Sequence, residues 1–355
     1  MNSLEKIINK IHLGNNLDLF KQIPDKSIDL IFSDPPYNMN LQKQLYRYDG
    51  SVFDGVNDAW DKYESLEHYD AETKKWLIES LRVLKDNGSL WVIGSYQNIH
   101  RLGYLLQDLG AWIINEIVWE KSNPVPNFAG TRFVNAQETL LWVTKTKNAK
   151  YTFNYKTMKH LNGNLQMKSI WRFPICNGNE RLKDVNGKKI HSTQKPLVLL
   201  ERIILATSNV GDVILDPFSG TGTTAHAAKK LGRNYIAFEQ DPKYYQASVD
   251  RLASVTEDND NNDLKFAIYD HKPNKVTFKE LISNGYLDIK IPIRIYNFQQ
   301  DLYFNNQGQI LYNNVWYTPN ALCRKLFNKP TNAWENIIYQ GEKLSSLREK
   351  YRQEN

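Results

Sequence analysis

The sequence holds only two cysteines, Cys176 and Cys323, far apart and with no CxxC spacing. That excludes a disulfide scaffold and a zinc-ribbon framework, and the expected compartment is reducing and intracellular. Long apolar runs are also missing. No stretch approaches the roughly 18–20 uninterrupted apolar residues of a membrane span, and the opening Met1–Lys6 has no long apolar segment of the signal-peptide kind, so no membrane partner is expected. The seven histidines show no ligand spacing such as HExxH, and no metal is expected. No GK[ST] closes a phosphate loop, no Pro-Cys dipeptide offers a covalent nucleophile, and no internal repeat occurs.

What is present is enough apolar residue, 41% of 355, for a sizeable core and about two domains. The net charge of +6 is unevenly spread. Residues 264–355 carry 13 Lys+Arg against 8 Asp+Glu, leaving residues 1–263 with 32 against 31. Between them runs Glu257-Asp258-Asn259-Asp260-Asn261-Asn262-Asp263, without an apolar side chain, which reads as a linker over 256–263. The basic tail is rich in aromatics, which suit either the core of a small unit or the stacking of bases between phosphate-neutralising cations.

Over the first 255 residues short apolar runs alternate with amphipathic stretches, as a parallel sheet covered by helices requires. Strands are predicted at Ile28–Ser33, Ser89–Gly94, Trp112–Trp119, Thr139–Thr144, Asp212–Asp216 and Asn234–Phe238. A helix is predicted over Asp70–Asp86, stopped by Asn87-Gly88. Others are predicted from Lys195-Pro196, over Thr223–Leu231, and after the capping pair Asp241-Pro242. The fold class is α/β, with a small C-terminal α+β module.

Two motifs at predicted strand ends carry the chemistry, since open α/β sheets bind ligands outside the carboxyl ends of their strands. In Asp34-Pro35-Pro36-Tyr37 two prolines stiffen the backbone and remove two amide donors, leaving acceptors beside a carboxylate and an aromatic face. This suits an exocyclic amine on a planar ring: Asp34 and the Pro35 carbonyl each accept one hydrogen while Tyr37 stacks. An Asx-type turn with a packed tyrosine remains the competing reading at this point. In Asp216-Pro217-Phe218-Ser219-Gly220-Thr221-Gly222 the glycines let the backbone approach a ligand and aim a helix N-terminus at it. Glu239 ends the next strand 19 residues after Gly220, close to the spacing at which an acid meets ribose hydroxyls. The missing third glycine favours a nucleoside ligand without a pyrophosphate, such as S-adenosyl-L-methionine, over NAD or ATP.

These residues resemble the β-class amino DNA methyltransferases, in which the Asp-Pro-Pro-Tyr loop precedes the glycine loop by about 180 residues. Further likeness lies in Trp91–Tyr96, Trp119–Pro124, Gly130–Phe133 and His191-Ser192-Thr193-Gln194-Lys195-Pro196. These segments look like those of the GANTC-specific adenine-N6 enzymes, including the HinfI-modification and cell-cycle-regulated types. The resemblance covers nearly all of the first 255 residues and implies a Rossmann-like, S-adenosylmethionine-dependent fold with circularly permuted motif order. The tail resembles the module associated with that subgroup, but Ala333 and Ile337 or Ile338 stand where a glycine and a second tryptophan are usual.

The resemblance implies a catalytic loop of Asp34, Pro35, Pro36 and Tyr37. Asp216, Phe218, Ser219, Gly220, Thr221, Gly222 and Glu239 fall to the cofactor, with Thr193 and Lys195 at its methionine end. An adenine N6 inside a duplex is out of reach, so the base must flip, at a cost of a few kcal/mol. Residues 1–255 form the catalytic domain, with target-recognition insertions at about 38–65 and 121–190, and 264–355 form the DNA-binding module. Candidate DNA contacts are Arg47, Trp60, Lys121 and Arg132 in the insertions, and Trp334 and Arg348 in the tail, each set against the plain alternative of a solvated charge or a core aromatic. The partners implied are double-stranded DNA, a second copy of the chain and a cognate restriction endonuclease, in a bacterial cytoplasm near the nucleoid. Two other readings stand beside this one. The acceptor is cytosine N4, an RNA base or a protein glutamine on the same fold, or the chain is a DNA-binding protein without turnover. Asp rather than Ser before Pro-Pro-Tyr, and the intact Asp34, Tyr37, Gly220 and Glu239, argue against them.

Overall fold

The computed structural model describes residues 3–38, 45–46, 52–53, 63–128, 130–270 and 275–354. The chain divides into two compact units, Met1–Asp270 and His271–Asn355, so the boundary falls at 270 and not at 263. Residues 256–270 are held by the first unit through polar contacts. Glu257 takes the buried Lys265 ammonium at 2.6 Å, Arg233 donates to the Lys265 carbonyl at 2.7 Å, and Asp270 accepts the Lys156 and Thr157 amides at 2.8 and 2.9 Å. An acidic run without apolar residues reads as a linker, yet its Asp258 amide donates to the Lys230 carbonyl at 2.8 Å, and the bonds to Arg233, Lys156 and Thr157 dock the residues that follow it.

The strands of the first unit are β1 (Lys10–Leu13), β2 (Ile28–Ser33), β3 (Leu45–Tyr46), β4 (Val52–Phe53), β5 (Leu84–Gly94), β6 (Trp112–Lys121), β7 (Gln137–Thr144), β8 (Ile170–Phe173), β9 (Val213–Asp216) and β10 (Asn234–Glu239). β3 and β4 pair with each other, and the other eight form one sheet in the order β1-β10-β9-β2-β5-β7-β6-β8. β7 is antiparallel to both β5 and β6, while the remaining pairs are parallel. The expected parallel sheet is therefore mixed. Among the described residues no helix lies between β6 and β7, and without a crossover the chain returns antiparallel.

Side chains alternate across the central strands. Leu30 and Phe32 of β2 join Trp91 and Ile93 of β5 in one apolar layer, and Ile28, Ile31, Leu90 and Val92 join the other. Helices α5 (Leu197–Thr207) and α6 (Thr223–Lys230) cover the first layer, and α2 (Leu66–Val83) and α3 (Ile99–Asp108) cover the second. The sheet is thus buried on both faces, which explains why β2 and β9 each carry three consecutive apolar residues, Leu30-Ile31-Phe32 and Val213-Ile214-Leu215.

Helix α2 starts four residues before its predicted start and stops three before its predicted end. The Ser65 side chain accepts the His68 amide at 3.1 Å and caps it, and at Leu84 the chain turns directly into β5. Asn87-Gly88 is therefore no helix stop. It sits in β5 where the register with β2 shifts, and a Cβ on Gly88 would lie 2.9 Å from the Asp29 carbonyl. The glycine serves a close approach of two strands. Of the segment 121–190, expected to be an insertion, β7 and β8 are sheet strands.

The second unit is α+β. Strands Ile293–Ile295, Ile337–Tyr339 and Glu342–Lys343 form a three-stranded antiparallel sheet, Ile310–Tyr312 and Val315–Tyr317 form a hairpin, and helices include Pro319–Phe327 and Leu344–Glu354. Its core contains Leu281, Ile293, Phe304, Leu322, Trp334 and Ile337. Among the described residues, no helix is long and apolar enough to cross a membrane.

Candidate active site

The two motifs, about 180 residues apart in sequence, leave neighbouring strands. β2 pairs in parallel with β9 through Leu30↔Ile214 and Ile31↔Leu215, so the loops starting at Asp34 and after Asp216 emerge side by side. From this point the chain runs to β10 on one side and to β5 on the other, which is the switch point where open α/β sheets open a crevice. A cavity of about 420 Å³ lies there, lined by Asp34–Tyr37, Thr193, Lys195, Asp216–Thr221 and Glu239.

At the end of the cavity formed by residues 216–222 the loop braces itself. Asp216, 3% exposed, accepts the Phe218 amide at 2.9 Å and the Thr224 hydroxyl at 2.5 Å, and burial pushes its carboxyl up to about 7. It is a brace of the loop, though it also borders the cavity. Gly222 has φ +73°, and a Cβ there would meet the Ser248 Cβ at 2.9 Å, so only glycine serves. Glu239 accepts the Asp241 amide at 2.8 Å, and burial holds its carboxyl above the usual range. Ser219 lines the cavity with its hydroxyl buried and without a hydrogen-bond partner among the described residues, an acceptor-donor group a ligand would satisfy.

The segment 191–196 spans both ends. His191 Nε2 lies 3.4 Å from where a Cβ on Gly220 would sit, and its ring meets Tyr244 edge-on at 4.6 Å. Burial, with Lys195 and Arg181 adding to it, pushes the imidazole down to about 4, so it is neutral at physiological pH, and Nδ1 accepts the Thr193 amide at 3.2 Å. Four residues further on, Lys195 Nζ is 2.7 Å from Asp34 Oδ2. The resemblance implies that Lys195 serves the cofactor, but the structure seats it on the Asp34 carboxylate.

Around that contact lies a buried cluster of two carboxylates and two ammoniums. Glu138 is 3.5 Å from Lys195 Nζ and 2.8 Å from Lys121 Nζ, and it accepts the Tyr37 hydroxyl at 2.9 Å. Side-chain exposures of 7% for Lys195, 12% for Lys121 and Glu138 and 17% for Asp34 leave little water to screen these charges. Burial raises the Asp34 carboxyl and outweighs the pull of Lys195. For Glu138 burial also pushes up, but Lys195 and Lys121 together bring the carboxyl below its ordinary value. Lys195 is held protonated, because Asp34 and Glu138 outweigh the cost of its burial. On the other side of the loop the Tyr69 hydroxyl donates to the Pro36 carbonyl at 3.1 Å, and Asn98 Nδ2 donates to that hydroxyl at 3.2 Å. Both are almost fully buried.

A DNA methylase family model matches residues 28–250. The chain is 44% identical over 337 residues to Type II methyltransferase M.HinfI of Haemophilus influenzae, an alignment spanning 95% of this chain and 93% of the relative. It belongs to the N6/N4 DNA methylase family. The M1.HpyAVI–SAM complex has a similar structure, with TM-score 0.51 and 27% identity, covering 68% of this chain and 98% of that one. The cytosine-N4-specific PvuII DNA methyltransferase, at TM-score 0.55 and 21% identity over 74% and 93% of the two chains, shares the fold.

The DNA-contact candidates of this methylase fare unevenly. Arg47 and Trp60 lie outside the described residues. Lys121 is not a free surface cation, because it is paired with Glu138. Arg132 is exposed and donates to the Tyr96 hydroxyl at 2.6 Å. Trp334 is 8% exposed and stacks on Phe278 with ring centroids 3.9 Å apart, and the Arg348 guanidinium lies over it at 4.8 Å. Both are packing residues of the second unit. Sequence reasoning misses Glu138, Tyr69 and Asn98, and an acid at the edge of an apolar run is the sole signal for Glu138.

Proposed function

We propose that this methylase transfers a methyl group to N6 of an adenine flipped out of double-stranded DNA, within GANTC, with S-adenosyl-L-methionine as donor. The observation that carries the reading is the buried Asp34 carboxylate at the end of β2, in one cavity with the glycine loop of β9 and the acid that ends β10. The unpartnered Ser219 hydroxyl, the Glu239 carboxylate and the size of the cavity accord with a nucleoside ligand. Gly220, Thr221 and Glu239 would hold the donor, which supplies an electrophilic methyl group. Tyr69 holds the Pro36 carbonyl, so Asp34 and the Pro35 carbonyl are the loop's acceptors for the two amine hydrogens. Drawing on both hydrogens lets N6 become tetrahedral and frees its lone pair, which the adenine ring otherwise withdraws.

The choice of GANTC rests on the motif resemblance and accords with the 44% identity to M.HinfI. Plasmid incubated with the protein and the donor is expected to resist cleavage at GANTC and to contain N6-methyladenine by nucleoside mass analysis. Full cleavage without that nucleoside overturns the reading, and N4-methylcytosine in its place moves the acceptor.

The second unit, residues 271–355, carries 12 Lys+Arg against 7 Asp+Glu and keeps Tyr296, Tyr303 and Trp316 exposed. These features support a sequence-independent grip on phosphate. Removing residues 271–355 is expected to weaken DNA binding and to flatten the log-log salt slope by about one for each phosphate this unit neutralises, with donor affinity unchanged. An unchanged salt slope sinks this role. A cognate endonuclease is the partner in keeping with a Type II relative, and the homodimer rests on the motif resemblance alone.

A further inference from the structure

We propose that Glu138 is a positioning residue of the methyl-transfer site, a second carboxylate to which Lys195 passes when Asp34 takes up the amino group of the target base. The inference rests on the adenine-N6 reading above.

Lys195 sits on Asp34 Oδ2 at 2.7 Å, the carboxylate that must accept an N6 hydrogen. A buried ammonium does not leave its counter-ion without another, and Glu138 Oε2 waits 3.5 Å from the same Nζ. The same oxygen accepts the Tyr37 hydroxyl at 2.9 Å, so the ring expected to stack on the base is anchored by the group that would receive the ammonium. Lys195 and then Lys121, 2.8 Å from Oε1, favour the ionised form of Glu138. The cluster is neutral as a whole, and a shift of Lys195 from one carboxylate to the other leaves that balance unchanged. Asp34 can then turn to the base without leaving the Lys195 ammonium unpaired in the cavity. Glu138 touches neither reactant in this scheme. It acts through Lys195 and Tyr37.

The test compares wild type with Glu138→Gln, which keeps shape but removes charge, and Glu138→Asp, which keeps charge but draws it back. With a GANTC duplex and saturating donor, Glu138→Gln is expected to lower kcat by about 10- to 100-fold, the scale of misplacement beside a reacting centre. Donor Kd and KM for DNA stay near wild type, and Glu138→Asp recovers part of the loss. The Glu138→Gln/Lys195→Gln double variant is expected to be no slower than Lys195→Gln alone, because one acts through the other. Wild-type kcat in Glu138→Gln, fully additive losses in the double variant, or a loss of donor affinity matching the loss of rate each overturn the proposal. If Glu138→Gln fails to fold, Glu138→Asp decides: a lowered kcat with intact donor affinity supports the role, and an unchanged kcat removes it. A wild-type protein that methylates no adenine fails the adenine reading itself, whereas adenine transfer with full-speed Glu138 variants fails only this inference.

Discussion

Asp34→Ala is expected to lower single-turnover methyl transfer by at least about 10³-fold while leaving donor affinity near wild type. The size follows from what the carboxylate does in a dry site. In the proposed transfer it is the charged acceptor for one amine hydrogen, and it also neutralises Lys195, whose side chain is 7% exposed and whose other carboxylate stands 3.5 Å off. Donor affinity is spared because the glycine loop and Glu239 belong to other strands. Asp34→Asn separates shape from charge and should be nearly as slow. Its pH dependence gives a second check. The working form is the carboxylate, and burial raises its pKa, so the rate falls with decreasing pH at higher values than an ordinary aspartate would give. Removing the positive charge with Lys195→Met is expected to move that acid limb higher still. Asp34→Ala turning over at more than about a tenth of the wild-type rate would contradict the assignment.

Glu239→Ala is expected to do the reverse, weakening the donor by about 10- to 100-fold with little change in kcat once the donor is saturating. Hydrogen bonds to a charged group are worth about 1.5–3 kcal/mol each, and Glu239, only 8% exposed, ends β10 at the cavity wall. Glu239→Gln should fall between, since it keeps one acceptor and loses the charge. Calorimetric titration with the donor measures both. The pair of variants therefore splits the cavity into a binding end and a reacting end, and a Glu239→Ala variant with wild-type donor affinity would remove the proposed ribose contact.

Much of the fold is legible in the sequence because each strand of the doubly covered sheet is a short apolar run closed by a recognisable cap or turn. Ile28–Ser33 and the β9-α6-β10 unit follow the sequence almost residue for residue. The end of α2 is not legible, because Asn87-Gly88 carries the same letters whether it stops a helix or lets β5 pass close to Asp29. Sequence alone points Lys121 to DNA and Lys195 to the cofactor, since a lysine shows its charge there but not its counter-ion. Trp334 and Arg348 look like contacts for DNA, yet they pack on each other and on Phe278.

By itself the sequence determined the two loops and their place at strand ends, because proline pairs, glycine turns and an acid at a strand end constrain the backbone locally. Tertiary structure decided which charges stand together. β7 runs antiparallel to its neighbours, so its first residues, not its last, reach the edge where β2 and β9 end. That reversal brings Glu138 beside Lys121 of the neighbouring strand and to Lys195 and Tyr37 from distant positions in the chain, 101 residues away for Tyr37, a meeting no local pattern encodes.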